Sequence, residues 1–193
     1  MRMAAAAAAA GAAGQERQAL VGDGVGEEGR DLVIGIGNPL RGDDGVGWRL
    51  ARLARLARRI RPAPRVRLVP QLTPELALEL ATARRVLFVD AWIPPREIAI
   101  PGPQLRRLAA SGGEVGVAAG HGLDPGDLLA LAALFGDAPP PAWLLLVPAF
   151  AFPHGQGVSD ALRQGLPAAR ALLLGWLAES ATEAGAGGRP CTS

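Results

Sequence analysis

The sequence predicts a single α/β domain with a mainly parallel, twisted sheet and helices on both faces. Short apolar runs alternate along the chain with segments of helical periodicity, and the runs are continuous rather than alternating apolar and polar. Continuous runs are typical of strands buried on both faces, which are mostly parallel. The chain has 193 residues, 49% of them hydrophobic, which is enough for one sizeable core.

Five segments are predicted as strands of this sheet. REIAIPG, at 96–102, is predicted to be an edge strand. The other four are buried strands: LVIGI (32–36), RVRLVP (65–70), VLFVDA (86–91) and AWLLLVPA (142–149).

Two helices are predicted in the first half of the chain. The first ends at Pro62, and a second, short helix over ELALELA takes Thr73 as N-cap and Pro74 as its first residue. The apolar face of the first helix has spacings of four and three: Val46, Leu50, Leu53, Ala57 and Ile60. A second stripe on this helix is predicted to be a solvated face: Arg49, Arg52, Arg55 and Arg59.

Two further helices are predicted from capping residues in the second half. One takes Asp124 as N-cap and Pro125 as its first residue, and ends at Gly136. The closing helix is capped by Ser159, with Pro167 positioned to kink it. Its inward-facing residues are Leu162, Leu166, Leu173 and Leu177.

Low-complexity composition sets the predicted domain boundaries. Residues 1–30 are rich in alanine and glycine and are predicted to be a disordered leader. A secretory signal is a weaker explanation, because its apolar region would consist of alanine, which is only weakly apolar. An over-extended start site is a further explanation. The folded domain is predicted to span 31–178, followed by a flexible tail at 179–193.

Composition argues against several classes of function. All 20 basic residues are arginine, which hardly titrates, so the pI of 9.8 is high although the net charge is only +2. The high pI is therefore no sign of a nucleic-acid-binding surface. No stretch has the roughly 20 apolar residues of a membrane span. Cys191 is the single cysteine, which excludes an internal disulfide and favours a reducing compartment, so we expect a cytoplasmic location.

Polar residues at strand ends are the candidate site. Asp43 and Asp44 follow the first strand, Asp90 closes the third, and His121 precedes the helix capped by Asp124. In open α/β sheets, sites form beyond the carboxyl ends of the strands. Carboxylates and an imidazole suit a divalent metal such as nickel or zinc, and equally a general base with its orienting partner.

Each candidate also has a purely structural explanation. Asp43 is predicted to be the N-cap of the first helix, which would place Asp44 at its first position, where the helix dipole favours an acid. Asp90 could bond only to backbone amides, and His121 could be an ordinary loop residue.

The segment GIGNPLRGDDG shapes the loop after the first strand. Its loop-forming residues are Gly35, Gly37, Asn38, Asp43 and Gly45. The segment lacks the third glycine of a dinucleotide fingerprint, and its two aspartates would repel a pyrophosphate. The charges are better suited to meeting a cation.

Taken together, GIGNPLRGDDGVG, QLTPELA, VLFVDA, GHGLDPGDLLALA and LLLVPA resemble the hydrogenase maturation proteases. The resemblance implies an endopeptidase that removes the C-terminal extension of a nickel-iron hydrogenase large-subunit precursor after nickel insertion. It implies that Asp44, Asp90 and His121 recognise nickel held by the substrate, which is not a permanent cofactor. The resemblance assigns no attacking group.

Two alternatives start from the same residues. A nickel-binding chaperone or scaffold would use the same ligands without cutting. IGNP after a strand also resembles the opening of peptidyl-tRNA hydrolase, but residues 45–60 lack the histidine which that family would need. We therefore expect the precursor as partner, with neither nucleic acid nor membrane.

Overall fold

The computed structural model describes residues 29–56, 63–95, 102–110, 123–155 and 157–186. Its strands are β1 (Asp31–Ile36), β2 (Arg65–Val69), β3 (Arg85–Trp92), β4 (Gln104–Leu108) and β5 (Ala142–Pro148). Its α-helices are α1 (Val46–Leu56), α2 (Leu76–Ala81), α3 (Pro125–Ala132) and α4 (Asp160–Ala186). A 3₁₀ turn, Gly42–Gly45, leads into α1.

The five strands form one sheet in the order β2-β1-β3-β5-β4. The first four strands in this order pair in parallel, and β4 pairs antiparallel with β5. This arrangement confirms the predicted mainly parallel α/β fold. The predicted edge strand at 96–102 lies almost entirely outside the described residues. Instead, β4 forms the edge, two residues after that segment.

Helices pack on both faces of the sheet, as predicted. On one face, α1 and α4 cover a core that includes Val33, Leu87 and Leu145. On the other, α2 and α3 cover a core that includes Leu32 and Phe88. Consecutive strand residues therefore alternate between two apolar layers, which explains why the strands read as continuous apolar runs.

Local capping signals determined two of the helix starts. Ser159 Oγ accepts the backbone N–H of Leu162 at 3.1 Å, so the predicted cap of α4 is confirmed. Asp124 caps α3, accepting from Gly126 N at 2.7 Å, with Pro125 as first residue, also as predicted.

Other predicted helix limits were wrong. Gly136 does not end α3, which stops at Ala132. Thr73 is not the N-cap of α2: its carbonyl accepts the N–H of Leu76 in a turn, and the helix starts after Glu75. The tail boundary at 178 stays a prediction, although α4 continues to Ala186.

A buried charge cluster ties α4 to the start of the sheet. Asp31 accepts from Arg84 at 2.9 Å and from Arg85 at 3.1 Å, and its side chain is 3% exposed. The guanidinium of Arg85 lies 4.0 Å from the ring centroid of Trp176 in α4 and donates to the carbonyl of that residue. This end of the sheet is therefore structural, and the opposite, carboxyl end carries the polar strand termini. Within the described residues, no helix is long and apolar enough to cross a membrane.

Candidate functional site

An acidic cleft opens at the carboxyl edge of the parallel strands. The chain passes from β1 to β2 on one side of β1, and β3 pairs with β1 on the other side. The strand order therefore reverses at β1, and open α/β sheets form their sites at such a reversal. The cleft has a volume of about 330 Å³. Ten residues line it: Ile36, Gly37, Asp44, Pro70, Gln71, Leu72, Asp90, Ala91, Leu123 and Pro125.

The loop after β1 is built so that Asp44 reaches this cleft. Gly37 has φ +119°, and a Cβ there would meet the backbone carbonyl of Asp44. The N–H of Asn38 donates to Asp44 Oδ2 at 3.0 Å, and Asn38 Oδ1 accepts from Leu40 N at 2.9 Å. The glycine and the asparagine turn therefore fix the carboxylate of Asp44 against the loop backbone.

Three more glycines bring α1 close to the sheet. A Cβ on Gly35 would meet the carbonyl of Gly47, and a Cβ on Gly47 would meet the carbonyl of Ile36. A Cβ on Gly45 would lie 2.7 Å from Cα of Pro39. The N-terminus of α1, which begins two residues after Asp44, is thus held against the end of β1.

Asp44 and Asp90 share the cleft. Both are half-buried, and the side chain of Asp90 follows Phe88 in the strand alternation, on the face covered by α2 and α3. Burial raises the pKa of Asp90 to about 6, a hydrogen bond from Ala91 N at 2.8 Å opposes the rise, and the negative charge of Asp44 adds to it. A cation in the cleft would relieve both the burial cost and the repulsion.

Asp43 has a different role from the predicted one. It is fully buried and lies within the 3₁₀ turn, whose N-cap is Arg41, so the N-cap prediction was wrong. Its carboxylate accepts from Phe150 N at 2.9 Å, Ala151 N at 3.1 Å, Ser159 N at 2.7 Å and Ser159 Oγ at 2.8 Å. Asp43 therefore clamps the loop after β5 and the start of α4 onto the loop that carries Asp44.

The pKa of Asp43 follows from this clamp. Burial alone would raise the pKa, but the hydrogen bonds from Ser159, Phe150 and Ala151 outweigh it and hold the pKa below its usual value. A carboxylate that accepts this many donors stays ionised. The prediction that Asp44 is the first residue of α1 was also wrong, because Asp44 lies in the 3₁₀ turn before Val46.

His121, the third predicted ligand, lies outside the described residues. Leu123 and Pro125, two and four positions later, line the cleft. Within the described ranges, no three His, Cys, Asp or Glu side chains are grouped as a metal site. The structure thus brings Asp44 and Asp90 together, and the place of His121 stays a prediction.

Gln71 is a cleft residue that the sequence argument missed. It lies two residues after Val69, the last residue of β2, so the strand-end rule that selected Asp90 applies to it as well. It was missed because only carboxylates and an imidazole were selected among the polar residues at strand ends, as groups that bind a metal or move a proton. Its side chain can donate and accept hydrogen bonds, which suits it to contact a peptide backbone.

Comparison of the sequence with protein-family models gave no match, and comparison with curated proteins gave no significant match. Comparison of the structure with solved structures gave clear matches. Hydrogenase maturating endopeptidase HybD from E. coli superposes with a TM-score of 0.59 and 20% identity, over 78% of this chain and 93% of HybD. The fold is that of the hydrogenase maturation endopeptidases.

Two archaeal structures agree. The hydrogenase 2 maturation peptidase from a Thaumarchaeota archaeon matches with a TM-score of 0.53 and 22% identity, over 77% of this chain and 97% of the peptidase. The [NiFe] hydrogenase maturation protease HycI from Thermococcus kodakarensis matches with a TM-score of 0.54 and 16% identity, over 83% of this chain and 98% of HycI. The resemblance read from the sequence motifs is thereby confirmed at the level of the fold.

Proposed function

We propose that this protein is an endopeptidase that removes the C-terminal extension of a nickel-iron hydrogenase large-subunit precursor after nickel insertion. The observation that carries the proposal is the pairing of Asp44 with Asp90 in one polar cleft at the carboxyl edge of the sheet. The shared fold with maturation endopeptidases of E. coli and two archaea supports it.

In this proposal the two carboxylates recognise nickel that the substrate brings. Asp44 is presented by its bond to the Asn38 amide, and Asp90 by its bond to the Ala91 amide, so both carboxylates are pre-oriented. His121 is proposed as the third ligand. Two carboxylates and one imidazole select poorly among divalent metals, and thiolates from the substrate would complete the shell.

Weak binding of free nickel is a consequence of this division of ligands. Two carboxylates and one imidazole, without thiolates, would leave a free nickel ion under-coordinated. The carboxylate pair is nevertheless costly without a cation, because Asp90 is desolvated and faces a like charge. A nickel ion already held by substrate cysteines would relieve that cost and would tighten the complex. The proposal therefore makes the metal a recognition element of the substrate rather than a resident cofactor.

The reaction itself is hydrolysis of one peptide bond near the bound metal. Gln71 lines the same cleft and offers an amide to the backbone of the segment being cut. No residue of the chain is assigned as the attacking group. A carbonyl polarised by the substrate's metal and attacked by water is one route that fits this arrangement.

The test is a cleavage assay on the precursor of a nickel-iron hydrogenase large subunit. The purified chain is incubated with the precursor loaded with nickel, and in parallel with the nickel-free form, and mass spectrometry detects the released peptide. We expect release only from the loaded form. Binding of the loaded precursor without release would favour the chaperone alternative, and no binding of either form would contradict both proposals.

A further inference from the structure

A second concave surface lies between α1 and α4, away from the acidic cleft. This groove has a volume of about 640 Å³. It is lined by Arg49, Leu50, Arg52 and Leu53 from α1 and by Arg163, Leu166, Pro167 and Arg170 from α4. It belongs to the helical layer on the α1–α4 face of the sheet, whereas the cleft opens beside the α2–α3 face.

The groove combines an apolar floor with cationic walls. Leucines from both helices and Pro167 form the floor, and each wall carries two exposed arginines. No acidic side chain is among the lining residues. Arg163 pairs with Asp160 at 2.9 Å, and Arg52 stacks over the ring of Trp48 at 5.7 Å. Arg49 and Arg52, two residues of the α1 stripe that the sequence predicted to be a solvated face, thus border a concave surface.

We infer that this groove binds an acidic, amphipathic helix of a partner protein. An apolar stripe on such a helix would cover the leucine floor, as in other helix-in-groove complexes. Acidic residues on both flanks of that stripe would meet the guanidinium groups of both walls, and guanidinium–carboxylate pairs are strong and directional. The inference does not depend on the proposed peptidase activity.

Other occupants match the groove less well. A second copy of the chain pairing through the same groove would bring arginine walls against arginine walls, since a two-fold interface repeats the same surface. A nucleic acid would match the charge but would leave the apolar floor against phosphates and sugars. A net charge of only +2 also gives little overall attraction to a nucleic-acid backbone.

The experiment uses the full chain and a pair of synthetic helical peptides. Both are 18 residues long, carry leucine at every third or fourth position and end in a fluorescent label. One has glutamate on both flanks of the leucine stripe and the other has glutamine at those positions. Fluorescence anisotropy measures binding. We expect the glutamate peptide to bind at least tenfold more tightly, and its affinity to fall as salt is added.

Charge reversal on the walls tests the location. Arg49→Glu with Arg170→Glu should lower the affinity for the glutamate peptide at least tenfold. The matched control, Arg106→Glu with Arg107→Glu on β4, changes the net charge equally and should lower it less than threefold. Melting curves establish that each variant is folded. If the wall variant is not folded, Arg49→Gln with Arg170→Gln replaces it, and the affinity for the glutamate peptide should then fall at least threefold.

Three outcomes would overturn the inference. The first is equal affinity for the two peptides. The second is an equal loss in both charge-reversal variants, which would indicate attraction to overall charge. The third is tighter binding of a 20-nucleotide RNA than of the glutamate peptide, with the RNA affinity reduced by the wall variants but not by the β4 variants.

Discussion

Asp43 and Asp44 are neighbours in the sequence, but their carboxylates serve different parts of the molecule. Asp44 lines the cleft, whereas Asp43 is buried and accepts from residues 107 to 116 positions away. The sequence could identify the pair as a strand-end acidic site. It could not assign Asp43, because the donors that surround it come from a distant segment that only the tertiary fold brings close.

The clamp formed by Asp43 should be essential for stability. Asp43→Ala would leave three backbone N–H groups and the Ser159 hydroxyl without this acceptor, at a cost of about 2–4 kcal/mol in the free energy of unfolding. This is larger than the roughly 1 kcal/mol expected for loss of a helix cap. Urea denaturation measures it, with Asp160→Ala as an exposed control. A loss below about 0.5 kcal/mol would contradict the clamp.

Asp90 should lower stability at neutral pH. Its pKa in the folded protein is about 6, above the ordinary 3.8, so folding favours the protonated carboxyl group. The protonated form therefore contributes fully to the free energy of unfolding below pH 3.8, and this contribution is lost as the pH rises through 6. Asp90→Asn keeps the acceptor for Ala91 N but removes the charge.

Stability curves of this variant at several pH values make the test. Asp90→Asn should be more stable than the native protein by about 1–3 kcal/mol at pH 8, and the difference should disappear near pH 4. Asp160→Asn, at a side chain that is 86% exposed, is the control and should show no such trend. A constant difference at all pH values would show that the charge of Asp90 is not the cause.

At the scale of elements, the sequence predicted the helix starts that depend on a capping residue nearby in the chain. Ser159 and Asp124 were recognised as caps because a capping side chain bonds within three residues of itself. The edge strand β4 was missed because its sequence, QLRRL, does not alternate apolar and polar residues and two of its five residues are arginine. Its pairing with β5 comes from tertiary context rather than from its own pattern.

The approach of α1 to the sheet gives a prediction at this scale. Gly47→Ala would place a Cβ against the carbonyls of Ile36 and Val89, both of which are fixed backbone atoms, and should lower the free energy of unfolding by about 1–3 kcal/mol or more. Gly175→Ala in α4 meets nothing within 4 Å and should raise it by about 0.5–1 kcal/mol. Thermal melts compare the two. A neutral Gly47→Ala would show that α1 moves away easily.

At the scale of the whole molecule, the alternation of strands and helices predicted the fold class, and the strand-end rule predicted the cleft. Both depend on general regularities of parallel sheets rather than on any single residue. The sequence motifs pointed to the maturation endopeptidases, whose fold the structure shares at 16–22% identity in the three comparisons above. The α1–α4 groove was missed because its two walls are more than 100 residues apart.

Residues 1–30 are predicted from the sequence to be dispensable for folding, and the test removes residues 1–28, because Gly29 and Arg30 bond to the domain in the structure. Their low-complexity composition offers little apolar surface to offset the entropy of ordering. A chain that starts at Gly29 keeps the bond from its N–H to the Thr82 carbonyl and should melt at the same temperature as the full chain. A fall of more than about 4 °C would show that the segment stabilises the domain.

The most direct test of the central claim, that the Asp44–Asp90 cleft recognises substrate-held nickel, is precursor cleavage by two variants. Asp90→Ala should release no peptide from the nickel-loaded precursor while it melts no lower than the native protein, because a half-buried carboxylate that faces the cleft adds little to the core. The prediction that Asp90 closes β3 was wrong, since the strand continues to Trp92. Asp160→Ala, at an exposed acid outside the cleft, should cleave at the native rate. Full cleavage by Asp90→Ala would contradict the account.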